Sequence, residues 1–376
     1  MKITLIGTAY PLRGGIAHYN ALLAGALAER HEVRSITFSR QYPSLLFPGK
    51  SQEESPGAGG VEPAPRLIDS INPVNWLRVG SLIRKQAPDL LLFKYWLPFF
   101  GPCFGTIARR ARANGHTRVI CICDNVLPHE RRPGDVAFTR YVFRSVDGFI
   151  VQSDAVEREL KGFWKGAPYR NVPHPVYTTF GEPLDRAEAR KTLGITAPRV
   201  LLFFGYVRKY KGLDTLLDAV ARLPHNLGVH LIVAGEFYDP ERAYRDQINA
   251  LKIGDRVTLR SDYLPNEEVR TYFSAADAVV LPYRSATQSG ITQIAYNFGT
   301  PVIATDVGGL REVVLEESTG LIVPPENPAA LADAITRFYT GGREQKFRKQ
   351  IQQEKLKYSW QNLVLAIEEL ASSIRT

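Results

Sequence analysis

Short apolar runs alternate with stretches whose apolar residues return every three or four positions, along the whole 376-residue chain. Such runs suit a buried strand and are too short for a buried helix. The intervening stretches have the period of a helix with one covered face. The alternation predicts an α/β protein with parallel sheets covered by helices on both faces. In the first half it predicts strands at 3–7, 33–38, 90–93, 119–123 and 148–152, with helices over 16–29 and 104–114. The pattern then starts again, with strands at 200–204, 229–234, 257–260, 278–281 and 302–305 and a helix over 213–223. Between the halves, 171–198 holds prolines and a charged helical piece at 186–193, and 48–65 reads as a surface loop rich in Gly, Pro, Ser and Glu. Residues 347–374 read as helical. The expected organisation is a first domain over 1–178, a linker over 179–198 and a second domain over 199–356. A terminal helix at 357–376 is expected to pack back on the first domain. Two doubly wound domains facing each other across a cleft bind ligands at the carboxyl ends of their strands.

Composition narrows this modestly. A hydrophobic content of 44% supplies a globular core, and three cysteines exclude a disulfide scaffold. Cys121 and Cys123 share one face of a predicted strand and read as buried apolar residues, with no metal-ligand spacing around them. The chain opens on a strand pattern instead of a leader, and no apolar run reaches the ~18 residues of a spanning helix, so a cytoplasmic protein is expected. The net charge of +9 is uneven: residues 1–175 hold 23 Lys and Arg against 14 Asp and Glu, and the remainder holds 24 of each. The first half is therefore the one expected to meet something anionic, whether nucleic acid, lipid or a phosphorylated small molecule.

Familiar phosphate motifs fail. Gly49-Lys50-Ser51 lacks the upstream glycine of a phosphate-binding loop, since Ser44 stands there, and no helix pattern follows. Gly7-Thr8-Ala9-Tyr10 lacks dinucleotide-binding spacing. Other loops are better candidates. Gly14 and Gly15 open the helix after the first strand, where backbone N–H groups suit an anion. Arg208, Lys209 and Lys211 share the loop after the strand at 200–204 and form a candidate diphosphate clamp. Thr287, Gln288, Ser289, Gly290, Ile291, Thr292 and Gln293 lie at a predicted helix start, where small and hydroxylated residues suit an anion-binding N-terminus. Asp124 and His129 follow the strand at 119–123 and are candidates for a base or a sugar-hydroxyl contact; His174, between two prolines, reads as structural.

Together and in this order, these motifs resemble the retaining glycosyltransferases of the GT-B fold, specifically glycosyltransferase family 4. The likeness covers nearly the whole chain and is densest over 200–334, including Gly308-Gly309, Glu312 and Thr319-Gly320-Leu321-Ile322-Val323. It implies a GT-B fold and a site for a nucleoside diphosphate sugar. The implied donor contacts are Gly14, Gly15, Arg208, Lys211, Gly235, Glu236, Tyr263, Leu264, Glu268 and the residues from Thr287 to Gln293. The implied catalytic set is Asp124, His129, Arg208 and Lys211. The chain also departs from the family. Tyr206 occupies the place of the family's phosphate-binding arginine, with Arg208 the natural substitute. Ala286 and Ile294 occupy the places of its two glutamates, and no glutamate occurs over 269–311. Ribose and sugar contacts are then expected from Gln288, Gln293 or Glu268.

The expected reaction is metal-independent transfer of a sugar, with retention, from a nucleoside diphosphate sugar to a hydroxyl acceptor, without a cofactor. Arg208 and Lys211 would stabilise the leaving diphosphate. Two alternatives are a non-catalytic nucleotide-sugar-binding homologue or partner subunit, suggested by the missing glutamates, and a nucleotide-sugar epimerase of the same fold. No nucleic-acid module is evident. The basic first half implies an anionic or lipid-linked acceptor, or peripheral contact with the inner face of a membrane. The aromatic stretch at 90–100 reads either as core or as an exposed rim at such a surface.

Overall fold

β1 (Lys2–Ile6) is buried on both faces from Ile3 onward, as a parallel strand under helices must be. In this computed structural model, which describes residues 1–43, 51–54, 63–128 and 131–374, the chain forms two units. One is Met1–Pro175 with Tyr358–Thr376, and the other is Val176–Lys357.

The first unit continues through α1 (Gly15–Ala28), β2 (Glu32–Arg40), β3 (Arg66–Asp69), α2 (Pro73–Gln86), β4 (Leu90–Tyr95) and α3 (Gly101–Arg112). It then runs through β5 (Arg118–Cys123), α4 (Asp135–Phe143), β6 (Gly148–Val151), α5 (Asp154–Phe163) and β7 (Tyr169–Asn171). Its parallel sheet has the order β3-β2-β1-β4-β5-β6-β7. Side chains cap the helices where the sequence changes character. Asn72 accepts from the N–H groups of Val74 and Asn75 ahead of Pro73 at the start of α2, and Ser153 caps α5. Phe38, Phe93, Phe100 and Phe104 pack together under the sheet. This corrects the exposed-rim reading of 90–100. Leu90–Tyr95 and Phe100 are buried, and the Trp96 ring lies 4.6 Å from Phe100. Cys121 and Cys123 are buried free thiols.

The second unit comprises α6 (Arg186–Thr192), β8 (Arg199–Phe204), α7 (Leu213–Arg222), β9 (Val229–Ala234), α8 (Glu241–Leu251), β10 (Val257–Arg260) and α9 (Asn266–Ala275). It goes on through β11 (Ala278–Leu281), α10 (Gly290–Asn297), β12 (Val302–Thr305), α11 (Leu310–Val313), β13 (Gly320–Val323), α12 (Pro328–Thr340) and α13 (Arg343–Glu354). Its parallel sheet is ordered β10-β9-β8-β11-β12-β13. The stretch read as linker carries α6, which is tied into this unit. Buried Asp277 accepts from Arg186 Nη1 at 2.9 Å, Arg190 Nη2 at 2.7 Å and the N–H of Val200 at 2.7 Å. After Lys357 the chain rejoins the first unit as α14 (Trp360–Ser373), where Leu370 lies so close to Gly148 that a Cβ there would stand 3.0 Å from it.

Candidate functional site

Both sheets reverse their winding direction at one place, between β1 and β4 in the first unit and between β8 and β11 in the second. The loops at the carboxyl ends of those strand pairs are where an open α/β sheet binds ligands.

In the second unit three such loops converge. Gly205, at φ 92°, leaves β8, and Gly235, at φ 148°, leaves β9; a Cβ on Gly235 would lie 2.3 Å from the Gly205 carbonyl oxygen. The N–H of Val207 donates to the Glu236 carbonyl, tying the two loops together. The exposed Arg208 guanidinium lies 4.8 Å from the centre of the Tyr238 ring, which itself packs against Tyr206. Lys211 is buried, and among the described residues its ammonium has no carboxylate partner. Burial, followed by the charge of Arg208, pushes its pKa down to about 7. Its Nζ lies 5.7 Å from the centre of the Tyr283 ring. The Tyr283 phenol is hydrogen-bonded to Ser289, the N-cap of α10. Arg284 fixes the basic loop from the side, donating to the Lys209 carbonyl at 2.9 Å and to Asp214 Oδ2 at 2.6 Å. Ile291 closes in over Gly205, where a Cβ would meet its Cδ1 at 3.3 Å. Thr292 Oγ1 and Gln293 Oε1 are buried without a hydrogen-bond partner. On the far side of that loop the Thr287 carbonyl accepts from the N–H of Gly309.

In the first unit Gly14, at φ 109°, is the N-cap of α1, and a Cβ on Gly15 would meet nothing within 4 Å. A helix N-terminus of this kind suits an anion. At the carboxyl ends of β4, β5 and β6 lies a buried polar group. Lys94 Nζ is 2.5 Å from Asp124 Oδ1 and donates to Gln152 Oε1 at 3.2 Å. Gln152 Nε2 donates to the Tyr19 hydroxyl at 2.9 Å, and Lys94 Nζ sits 3.5 Å above the Tyr19 ring. His174 packs edge-on to Tyr19 with its pKa pushed down to about 3, chiefly by burial.

Among the residues expected from the sequence, Arg208, Lys211, Gly235, Glu236, Ser289 and Ile291 thus belong to one set of loops, while Asp124 pairs with Lys94. Tyr263, Leu264 and Glu268 follow β10, two strands from β8 in the sheet; Leu264 is buried and Glu268 exposed. His129 lies outside the described residues, as do Gly49 and Lys50. Sequence reasoning missed Lys94, Gln152, Tyr19, Tyr238, Tyr283 and Arg284. Lys94 left a signal, being the one charge in the apolar run 90–100. No group of three metal-ligating side chains stands together among the described residues.

Two parallel-sheet, Rossmann-like units with these sheet orders define the GT-B architecture. Sucrose-phosphate synthase from Thermosynechococcus elongatus shares it with a TM-score of 0.77 at 22% identity, covering 100% of this chain and 99% of that one. HepE of Anabaena, solved with UDP and glucose, matches at TM-score 0.77 and 17% identity over 99% of this chain and 100% of its own. The family model for glycosyl transferases group 1 matches residues 198–341, and that for the glycosyl transferase 4-like domain matches 14–176. The chain belongs to this glycosyltransferase family. Among curated relatives, D-inositol 3-phosphate glycosyltransferase 1 of Catenulispora acidiphila is 33% identical over 226 residues, 56% of this chain and 54% of that protein. The D-inositol 3-phosphate glycosyltransferase of Mycobacterium tuberculosis is 32% identical over 235 residues, 60% of this chain and 48% of that protein. The chain spans about half the length of these curated relatives.

Proposed function

We propose that this chain is a retaining, metal-independent glycosyltransferase that moves a sugar from a nucleoside diphosphate sugar to a hydroxyl acceptor. The observation that carries the reading is Lys211, a buried lysine with no carboxylate partner among the described residues, beside Arg208 at a topological switch point. A buried cation that lacks a counterion is costly unless a ligand supplies one. A diphosphate does so, and Arg208 and Lys211 are the groups we assign to it. The same cations stabilise the charge that develops as the leaving group departs, which gives this chain's own residues the task a metal performs elsewhere. The names of relatives and solved neighbours support this substrate class, and UDP is the first nucleotide to test.

In the proposed reaction the bond between the anomeric carbon and the phosphate oxygen breaks. A bond from the acceptor oxygen forms on the same face of the sugar. The acceptor's proton passes to a phosphate oxygen, so no protein nucleophile is required. Gln293, with its buried unpartnered Oε1, is our candidate for a sugar or ribose hydroxyl in the absence of the family's glutamates. Thr287, Ser289 and the Gly290 end of α10 are assigned to the phosphates, as is the turn at Gly14 and Gly15. Asp124 is assigned to the acceptor. The excess positive charge of residues 1–175 favours an anionic acceptor, and α2 favours contact with an anionic bilayer: Ile71, Val74 and Leu77 are exposed there beside Arg78, Arg84 and Lys85.

Release of nucleoside diphosphate from a panel of nucleoside diphosphate sugars tests the reading. Arg208→Ala and Lys211→Ala are each expected to lower turnover about 10²–10³-fold. Near-normal rates in both would overturn the diphosphate assignment. Full activity in a chelator is expected, and the anomer formed reports the stereochemistry. Because Ala286 and Ile294 stand where the family has glutamates, a binding-only homologue is the second reading; it predicts nucleotide-sugar binding without release. Product analysis without acceptor identifies an epimerase.

A further inference from the structure

Lys94 is a cation in the middle of a hydrophobic unit, on a strand whose six residues are all buried. Its side chain is 3% exposed, whereas that of its partner Asp124 is 15% exposed. The groups behind it are closed off: Tyr19 is inaccessible, and Gln152, His174 and Trp360 are all buried. Asp124 is therefore where this polar group reaches the surface, and it does so at the carboxyl end of β5. Lys94 holds it from β4, the strand at the reversal of winding.

A buried ion pair is a poor means of stabilising a fold. Its Coulombic gain is largely offset by desolvation, and apolar substitutes of similar volume are often neutral or better. The geometry nevertheless commits several elements to this pair. Lys94 Nζ is held from three sides, by Asp124 Oδ1, Gln152 Oε1 and the face of the Tyr19 ring. Tyr19 is fixed in turn by the Gln152 amide, by His174 edge-on at 5.1 Å and by Trp360 of α14 at 5.0 Å. His174 is kept neutral by burial and by Lys94, so it adds no competing cation, and its Nδ1 lies 2.8 Å from the Pro175 carbonyl. The result is a rigid ammonium with one carboxylate on its outward side.

We propose that Lys94 is a positioning residue, which fixes the Asp124 carboxylate at the strand end as the hydrogen-bond acceptor for a hydroxyl of a polyol or sugar acceptor. Lys94 itself does not touch the substrate. Its distance from the acceptor hydroxyl is taken up by Asp124, and Gln152 and Tyr19 set the angle at which the pair points. Holding a group within a fraction of an ångström of its productive place is worth about 10²-fold in rate. This deepens the transferase reading and rests on it.

The test compares the full chain with Lys94→Met, Asp124→Asn and the double variant K94M/D124N. The double variant removes both charges while keeping volume, so its melting temperature is expected to stay close to that of the parent. Its kcat/KM for the acceptor is expected to fall about 10²-fold, with UDP affinity by calorimetry within twofold. A double variant that melts like the parent and keeps kcat/KM within twofold would overturn the proposal, because Lys94 would then be structural only. Failure of the transferase reading shows elsewhere, as absence of nucleoside diphosphate release from the parent. In that event saturation-transfer NMR with myo-inositol, a cyclic polyol, decides. A signal from the parent that weakens in K94M, which keeps the Asp124 carboxylate, supports the positioning role, and a K94M signal equal to the parent's refutes it.

Discussion

Lys211 and Gly308 illustrate what single residues contribute and how differently they were legible. The sequence marks Lys211 as one cation among three, yet only the fold buries it. With a pKa lowered to about 7 against an ordinary value of 10.5, the unfolded chain binds more protons than the folded one between those limits. Lys211 should therefore make the ligand-free protein more stable as pH rises from about 7 to 10. Burial holds the neighbouring Tyr283 phenol above its ordinary range, so it stays neutral across that interval. On the proposed assignment a bound nucleoside diphosphate needs the ammonium, so affinity should fall over the same interval; calorimetry with UDP at pH 6, 7 and 8 checks the sign. Gly308 sits at φ 50°, and a Cβ there would lie 1.5 Å from the Ala286 carbonyl oxygen. Gly308→Ala should cost about 3 kcal/mol by urea denaturation and displace the backbone at Thr287. Its place beside Gly309 was readable, but the close approach that requires it was not.

At the scale of elements, the sequence revealed those that bury the most. β4, β5, β8, β9 and β11 were legible because four or more adjacent side chains are apolar, and β1, β2, β6, β10 and β12 from shorter or interrupted apolar runs between polar stretches. β3 and β7 lie at the edges of their sheet, are four and three residues long, and bury only Ile68 fully between them, so periodicity has too little to work on. The Lys94 cluster was invisible for a related reason: its members come from α1, β4, the ends of β5 and β6, and residue 174, and only the sheet order joins them. α6 was legible as a helix but not as part of the second unit, because its anchor is Asp277, nearly 90 positions away. Asp277→Ala removes the shared acceptor of Arg186, Arg190 and the Val200 N–H. It should destabilise the second unit by about 3–5 kcal/mol in urea unfolding, while Asp277→Asn should cost less.

For the whole molecule, the net charge of +9 lies in residues 1–175, while the candidate diphosphate cations lie in the remainder, which has no net charge. On the proposed reading, donor capture in the second unit is local, and the long-range field comes from the first. Among the described residues no helix is long and apolar enough to cross a membrane, and α2 is the surface we propose for contact with a bilayer. Sedimentation with anionic liposomes should show binding at low salt that declines at high salt. Replacing Arg78, Arg84 and Lys85 with glutamine should weaken it about 10²-fold, at roughly 1 kcal/mol per charge. No sedimentation at low salt would remove the bilayer from the proposal.

The return of α14 to the first unit also sets an order of assembly. The second unit is one uninterrupted segment, 176–357, and can close as soon as that segment is available. The first unit cannot. Its Trp360 and Leu370 arrive after every residue of the second unit, so the half that begins the chain is the last to be completed during synthesis. A chain stopped at residue 357 should leave the second unit's unfolding transition intact and abolish that of the first.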